Sequence, residues 1–216
     1  MITLHHLDNS RSLRILWLLE ELELPYELVE HKRDAVTRLA PASLEAVHAL
    51  GKAPVLVDGD RTIVESGAII DYVIRRHGGG RLAPPQHSAD YDAYQMWLHY
   101  VEGSAMLPMM LNLYASILGG ESSALRSRID SELARHLGFI EASLSGRTFL
   151  VGDSLTGGAD VQLSFLAEML TASSFGAPFL SIGAWLARVQ LRPAYLRAVQ
   201  RGGANVLSFR RASSHS

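Results

Sequence analysis

Strand-forming patterns occur only in the first third of this 216-residue chain, where they alternate with helical patterns. Residues 2–7 and 26–30 predict two short strands. A third strand begins at Pro54, and the turn at residues 58–60 predicts a hairpin with a fourth. Helices are predicted over residues 13–22, 35–49 and 66–77. The order β-α-β-α-β-β-α predicts a parallel first pair, an antiparallel hairpin and a four-stranded sheet covered by helices.

The pattern changes after residue 78. Glycine and proline runs are typical of a linker, which we predict over residues 79–88. Residues 89–207 show helical spacing without a clear strand, so an all-α domain is expected there. Its helices are predicted over 89–118, 122–145, 160–173, 179–190 and 193–201. Pro108 should kink the first of them, and residues 208–216 should form a polar tail.

Composition excludes several classes of function. The net charge of −2 gives no basic excess, so neither nucleic acid nor an anionic membrane is an expected partner. Cysteine is absent, which removes disulfides, thiolate metal sites and a cysteine nucleophile. The sequence shows no signal peptide and no apolar stretch near the ~20 residues of a membrane span, so a cytoplasmic protein is expected.

The hairpin that begins at Ala53-Pro54 suggests a ligand site. An X-Pro bond is the common place for a cis peptide, and the Ala53 amide and carbonyl would then face an extended ligand. Ser66 is a favourable N-cap for the following helix, whose first amides form an anion site. The alternative interpretation is an ordinary hairpin with a trans proline.

This order of elements, together with five motifs, resembles the bacterial and fungal branch of the glutathione transferase family. The motifs are NSRSLRILWLLEEL (9–22), HALGKAPVL (48–56), ES (65–66), EGSAMLP (102–108), and GD with ADV (152–153 and 159–161). The resemblance spans about residues 2–200. It implies an α/β thioredoxin-like domain over residues 1–78, an all-α C-terminal domain, glutathione as co-substrate and a homodimer.

Three positions depart from the family pattern. The branch usually has proline where Ala49 stands, and often valine or serine at Ala53, where contacts run through the backbone. Its helix-capping motif places Ser or Thr three residues before Asp160, but Gly157 stands there and Thr156 is one residue farther. We expect either a cap with an extra-residue turn or an aspartate that bonds the loop amides alone.

The resemblance implies attack by the glutathione thiolate on an electrophile. A free thiol has a pKa of about 8.5, so the enzyme must stabilise the charged sulfur. Ser10 lies four residues before Arg14, as the active serine does in serine-type members, and near a helix start that favours an anion. Ser10 is therefore the predicted catalytic residue, with Asn9 and Ser12 as alternative donors. A capping role alone is the competing interpretation of Ser10, and Arg14 is expected to be structural.

The same resemblance assigns the glutathione-binding residues. Lys52 would pair with the glycyl carboxylate, unless it is simply a solvated lysine. Ala53, before Pro54, would bond the cysteinyl backbone. Glu65 would accept from the γ-glutamyl ammonium, and Ser66 would bind the adjacent carboxylate, which matches charge at both groups.

The electrophile pocket is expected between the domains, near the Pro108 kink. Its predicted lining residues are Ser104, Met106, Met110, Leu111 and Tyr114. Methionine suits adaptable pockets, although most of these methionines should belong to the core. His99 and Glu102 have helical spacing but lack a third ligand, so we expect a surface or interface pair there and no metal.

Conjugation of glutathione to small apolar electrophiles is the leading hypothesis. Glutathione-dependent peroxide reduction at the same site is one alternative. A glutathione-binding or protein-interaction module with little turnover is the other. The absence of cysteine disfavours the thiol-transfer branch of the family.

Overall fold

The computed structural model describes residues 1–119, 122–173 and 175–205. Its strands are β1 (Ile2–Leu7), β2 (Tyr26–His31), β3 (Val55–Asp58) and β4 (Arg61–Val64). The helices among them are α1 (Ser12–Glu21), α2 (Ala42–Glu45) and α3 (Ser66–His77). The predicted order of elements is confirmed.

The four strands form one mixed sheet in the order β2-β1-β3-β4. β1 runs parallel to β2 and antiparallel to β3, and β3 pairs antiparallel with β4. Leu4 of β1 lies opposite Leu56 of β3, and both are fully buried. Both predicted pairings are therefore confirmed, and the sheet is thioredoxin-like.

The helix predicted over residues 35–49 is mostly wrong, because only Ala42–Glu45 is helical. The Asp34 carboxylate accepts from the amide of Thr37 at 2.7 Å, and this local turn competes with helix formation. Pro41 also disfavours the helical conformation in the residue before it. The segment between β2 and the loop before β3 is therefore largely irregular.

The regular elements in the rest of the described chain are all helices. The helices are α4 (Asp90–Tyr100), α5 (Met106–Leu118), α6 (Ser123–Leu144), α7 (Gln162–Thr171), α8 (Leu180–Gln190) and α9 (Pro193–Gly202). A π-helical turn, Val101–Ala105, joins α4 to α5. It lies just before Pro108, which has no amide for the preceding turn, so the irregularity falls next to the predicted kink. The predicted polar tail lies outside the described residues.

Helix α1 is the central element of the packing, because it contacts β1, α3, α7 and α9. Its Trp17 is fully buried in the main core. Three ion pairs fasten α9 to its end: Arg192 to Glu21 at 2.5 Å, and Arg197 and Arg201 to Glu20 at 2.7 and 3.6 Å. This packing holds the start of α1 against both parts of the chain. Within the described ranges, no helix combines the length and apolarity needed to cross a membrane.

Candidate active site

The loop before β3 presents unpaired backbone groups. The Ala53-Pro54 bond is cis, and strand pairing begins only at Val55. Within the described residues, neither the amide nor the carbonyl of Ala53 has a hydrogen-bond partner. Gly51 has a φ of +57°, and a Cβ there would lie 2.7 Å from Glu45 Cγ, so the tight turn requires glycine. Lys52 is exposed beside this loop.

Ser66 does not cap α3 as predicted. Helix α3 begins at Ser66 itself, and Glu65 occupies the cap position with a φ of +68° and no side-chain cap bond. A non-glycine residue rarely adopts that conformation, which is typical of functional sites. The Ser66 hydroxyl instead accepts a bond of 2.7 Å from Arg14 Nη2. Glu65 is exposed above it.

Arg14 is the centre of a buried charged cluster. Its Nη1 donates to the Gln162 carbonyl at 2.6 Å, and its Nη2 also donates to Glu102 at 2.5 Å. Arg11 Nε donates to both Glu102 carboxylate oxygens at 3.0 Å. Although burial raises the pKa of Glu102, the two guanidinium groups outweigh it and hold that pKa below its usual value. Arg14 is thus structural, as expected, and it also fixes the Ser66 hydroxyl.

The surface pairing suggested for His99 and Glu102 is wrong, because Glu102 belongs to the arginine cluster and His99 is exposed. Sequence reasoning missed Glu102 as a site residue, although Arg14 and Glu102 both lie in motifs that carried the resemblance. In the part of the chain that the structure describes, no group of three acidic, His or Cys side chains could hold a metal.

A cleft of about 880 Å³ lies between α3 and α4, where Glu65 and Glu102 line opposite sides. None of the five residues predicted for the electrophile pocket lines this cleft. It therefore adjoins the Ser66 side of the candidate site and is distinct from the predicted electrophile pocket.

The residues predicted to line the electrophile pocket lie on α5 and the turn before it, and they differ in how exposed they are. Leu111 and Tyr114 are 38% and 53% exposed, and Met110 and Ser104 are half-buried. Met106 is only 2% exposed and packs in the core, so the structure does not place it on the surface of a pocket. The prediction missed Leu107 and Leu118, which are 61% and 80% exposed. Their spacing with Leu111 and Tyr114 marks one face of a helix and was the available signal.

Ser10 lies at the end of β1, just before α1. Its hydroxyl donates to the Leu7 carbonyl at 2.8 Å and lies 2.7 Å from Ser12 Oγ. It also accepts from the Ser12 amide at 3.2 Å, so it partly fulfils the capping role. Ser12 is fully buried and cannot reach a ligand, whereas Ser10 is 6% exposed and Asn9 is half-buried. Of the three candidate donors, Asn9 is therefore the most exposed, Ser10 keeps a small exposed fraction and Ser12 has none.

Asp160 caps the second π-helical turn, Gly157–Val161. One carboxylate oxygen accepts from the Thr156 amide at 2.9 Å, and the other accepts from the Leu150 amide and the Trp185 indole. The turn contains the extra residue, but the Thr156 side chain makes no cap bond, so the Asp160 carboxylate itself binds the loop amides. Burial raises the pKa of Asp160 to about 6, against the effect of these donors.

Comparison with known proteins defines the class. The family model for the glutathione S-transferase N-terminal domain matches residues 4–81, and the C-terminal domain model matches residues 105–193. Glutathione S-transferase 3 of Schizosaccharomyces pombe is 31% identical, over 97% of this chain and 91% of its own. The fold and these matches define a two-part glutathione-dependent class of protein. The chain belongs to the glutathione S-transferase family.

Solved structures agree with this assignment. A glutathione S-transferase from Actinobacillus pleuropneumoniae is 36% identical with a TM-score of 0.86, covering 94% of this chain and 93% of its own. A sphingomonad glutathione S-transferase complexed with glutathione is 24% identical with a TM-score of 0.74, covering 93% of this chain and 98% of its own. The second likeness supports the fold alone.

Proposed function

We propose that this protein is a glutathione transferase that joins the glutathione thiolate to small apolar electrophiles. The observation that carries the proposal is the Ser66 hydroxyl, which a buried arginine holds at the start of α3. A helix start with a fixed hydroxyl suits a carboxylate. The family of the chain supplies the reaction class and favours conjugation over peroxide reduction or binding without turnover.

Glutathione would extend along the loop before β3. Its cysteinyl backbone would pair with the amide and carbonyl of Ala53, which have no partner among the described residues. The exposed Lys52 would neutralise the glycyl carboxylate, while Glu65 and Ser66 would receive the γ-glutamyl amine and carboxylate. These contacts would bring the sulfur to the junction of β1 and α1, beside Ser10.

Ser10 would stabilise the thiolate. Lowering a thiol pKa from about 8.5 by about two units requires roughly 2.7 kcal/mol of preferential stabilisation of the anion. A charge-assisted hydrogen bond and the positive end of α1 supply energies of that order. The hydroxyl does not need to ionise for this role.

The electrophile would bind against the exposed apolar face of α5. That face carries Leu107, Leu111, Tyr114 and Leu118. An exposed apolar surface of this kind favours apolar substrates over charged ones. Met110 and Ser104 would lie at its edge.

The proposal also covers the assembly of the protein, its location in the cell and its domain boundaries. A homodimer would use the exposed face of α3 and residues 89–100, where Met96 is 40% exposed. The cytoplasmic location and the division at residues 78 and 89 remain predictions from the sequence. They do not affect the chemistry proposed for Ser10.

The test compares wild type with Ser10→Ala, using 1-chloro-2,4-dinitrobenzene as the electrophile. We expect glutathione affinity within several-fold of wild type and a rate at least about tenfold lower, since only the thiolate loses its donor. Ser127→Ala, at an exposed serine on α6, is the matched control and should leave both unchanged.

Three results would argue against these assignments. An unchanged rate in Ser10→Ala would transfer the role to Asn9. Glutathione binding without turnover of a broad electrophile panel would favour a binding module. Turnover of organic hydroperoxides alone would favour the peroxidase.

A further inference from the structure

A buried histidine lies behind the proposed thiol site. His6, on β1, is 2% exposed, and its Nε2 lies 2.8 Å from the Gly202 carbonyl oxygen at the end of α9. A Cβ on Gly202 would lie 3.0 Å from that nitrogen and 2.7 Å from Leu16 Cδ2, so glycine permits this close approach. A carbonyl oxygen can only accept, so Nε2 carries the proton and Nδ1 of the neutral ring is an acceptor.

Two hydroxyl groups connect this imidazole to the site. His6 Nδ1 lies 2.9 Å from Ser12 Oγ, which lies 2.7 Å from Ser10 Oγ. Because the ring nitrogen accepts, the Ser12 proton points toward His6. Ser12 Oγ is then left to accept from the Leu7 amide, at 3.1 Å, and from Ser10. The Leu7 carbonyl oxygen lies 2.8 Å from Ser10 Oγ and 3.1 Å from Ser12 Oγ, so the Ser10 proton is shared between this carbonyl and Ser12. Both hydroxyl protons therefore point into the protein.

The surroundings keep His6 neutral but able to accept a proton. Burial lowers its pKa, and His31 on β2 acts in the same direction. The Gly202 carbonyl, Glu30 on β2 and Asp8 favour the charged ring. A buried ring whose Nδ1 carries no proton is in the protonation state that a proton acceptor needs at neutral pH.

We propose that His6 receives the glutathione thiol proton through Ser12 and Ser10. The S–H bond breaks as its proton passes to Ser10 Oγ, the Ser10 proton passes to Ser12 Oγ, and the Ser12 proton passes to His6 Nδ1. The products are a thiolate and an imidazolium ion that the Gly202 carbonyl holds. No proton or electron is left over, and no further reactant is needed.

This inference rests on the proposed function, and it accounts for the inward direction of the Ser10 proton. Before transfer, Ser10 accepts from the thiol. After transfer every hydrogen bond in the series is reversed, so Ser10 donates to the thiolate. His6 does not touch the ligand and acts only through the two serines.

Nitrogen NMR of the histidine rings tests the inference in the full-length protein. At neutral pH, saturating glutathione should convert His6 from the neutral Nε2–H form to imidazolium. S-methylglutathione, which retains the peptide but has no thiol proton, should leave His6 neutral. This measurement needs no variant, so a failure to fold cannot obscure it.

Two variants separate transfer from support of the fold. In Ser12→Ala, His6 should stay neutral when glutathione binds, and the thiol pKa, measured from the ultraviolet absorbance of the thiolate across a pH series, should rise by about one unit, a tenfold change in the acid dissociation constant. His5→Gln is the matched control, because His5 bonds His31 and not the serines. It should leave both measurements at the wild-type values.

The outcomes are distinguishable from failure of the proposed function. Bound thiolate with a neutral His6 in wild type, or a full thiolate fraction in Ser12→Ala, would overturn the proton transfer and leave the transferase intact. Absence of glutathione binding would overturn both.

Discussion

At one end of the proposed glutathione site, Arg14, Ser66 and Glu102 form an ion-paired cluster, whereas at the other end Lys52 is exposed and has no ion pair among the described residues. We call these the Ser66 end and the Lys52 end. At the Ser66 end, α1 and the turn after α4 fix the groups before any ligand arrives. At the Lys52 end, a flexible ammonium group must be ordered on binding, which costs entropy. Substitutions at the Ser66 end should therefore affect folding as well as binding.

Replacing Arg14 should produce the largest effect. Arg14→Met removes one partner of a buried ion pair and leaves the Gln162 carbonyl and Ser66 hydroxyl without their donor. We expect a loss of about 3–5 kcal/mol in the free energy of unfolding, measured by urea titration. Arg75→Met is the control, since its pair with Asp71 is exposed and should contribute less than about 0.5 kcal/mol. Similar losses in the two variants would remove the distinction between the two ends.

The pH dependence of Glu102 tests the same cluster. Its pKa is lower in the folded protein than the 4.5 of the unfolded chain, so its charge stabilises the fold above about pH 4.5. That contribution is lost as the pH falls through the folded value. We expect Glu102→Gln to cost about 2 kcal/mol at neutral pH and progressively less in acid. A difference in unfolding free energy that does not change with pH would mean that the charge of Glu102 is not what stabilises the cluster.

The sequence predicted the fold better than it predicted this cluster. Strand pattern and turn residues depend on neighbours in the chain, which is why β1 to β4 were correctly placed. The partner of Ser66 is Arg14, 52 positions away, and local reasoning assigned Ser66 to a cap instead. Glu102 was paired with His99 by helical spacing, whereas its partners come from α1. Long-range ion pairs have no local signal, and the resemblance marked the motifs that contain these residues without pairing them.

Ser66→Ala should have an intermediate effect, because it removes one hydroxyl while Arg14 keeps its bonds to Glu102 and Gln162. We expect glutathione affinity to fall about tenfold and stability to fall by about 1 kcal/mol, as for loss of one hydrogen bond. Isothermal titration and urea unfolding on the same preparation would measure the two quantities. Lost affinity with unchanged stability would show that the bond from Arg14 contributes little to folding.

Lys52→Ala should give the smallest effect and the clearest contrast. Since Lys52 is exposed and has no ion pair among the described residues, its removal should change the free energy of unfolding by less than about 0.5 kcal/mol. Glutathione affinity should fall by about 1 kcal/mol, and added salt should narrow the gap between wild type and variant because the contact is a screened charge pair. Lys32→Ala, another exposed lysine, is the control and should change neither quantity. If Lys52→Ala binds glutathione like wild type at low salt, Lys52 is a solvated surface residue and the glycyl carboxylate is held by backbone groups alone.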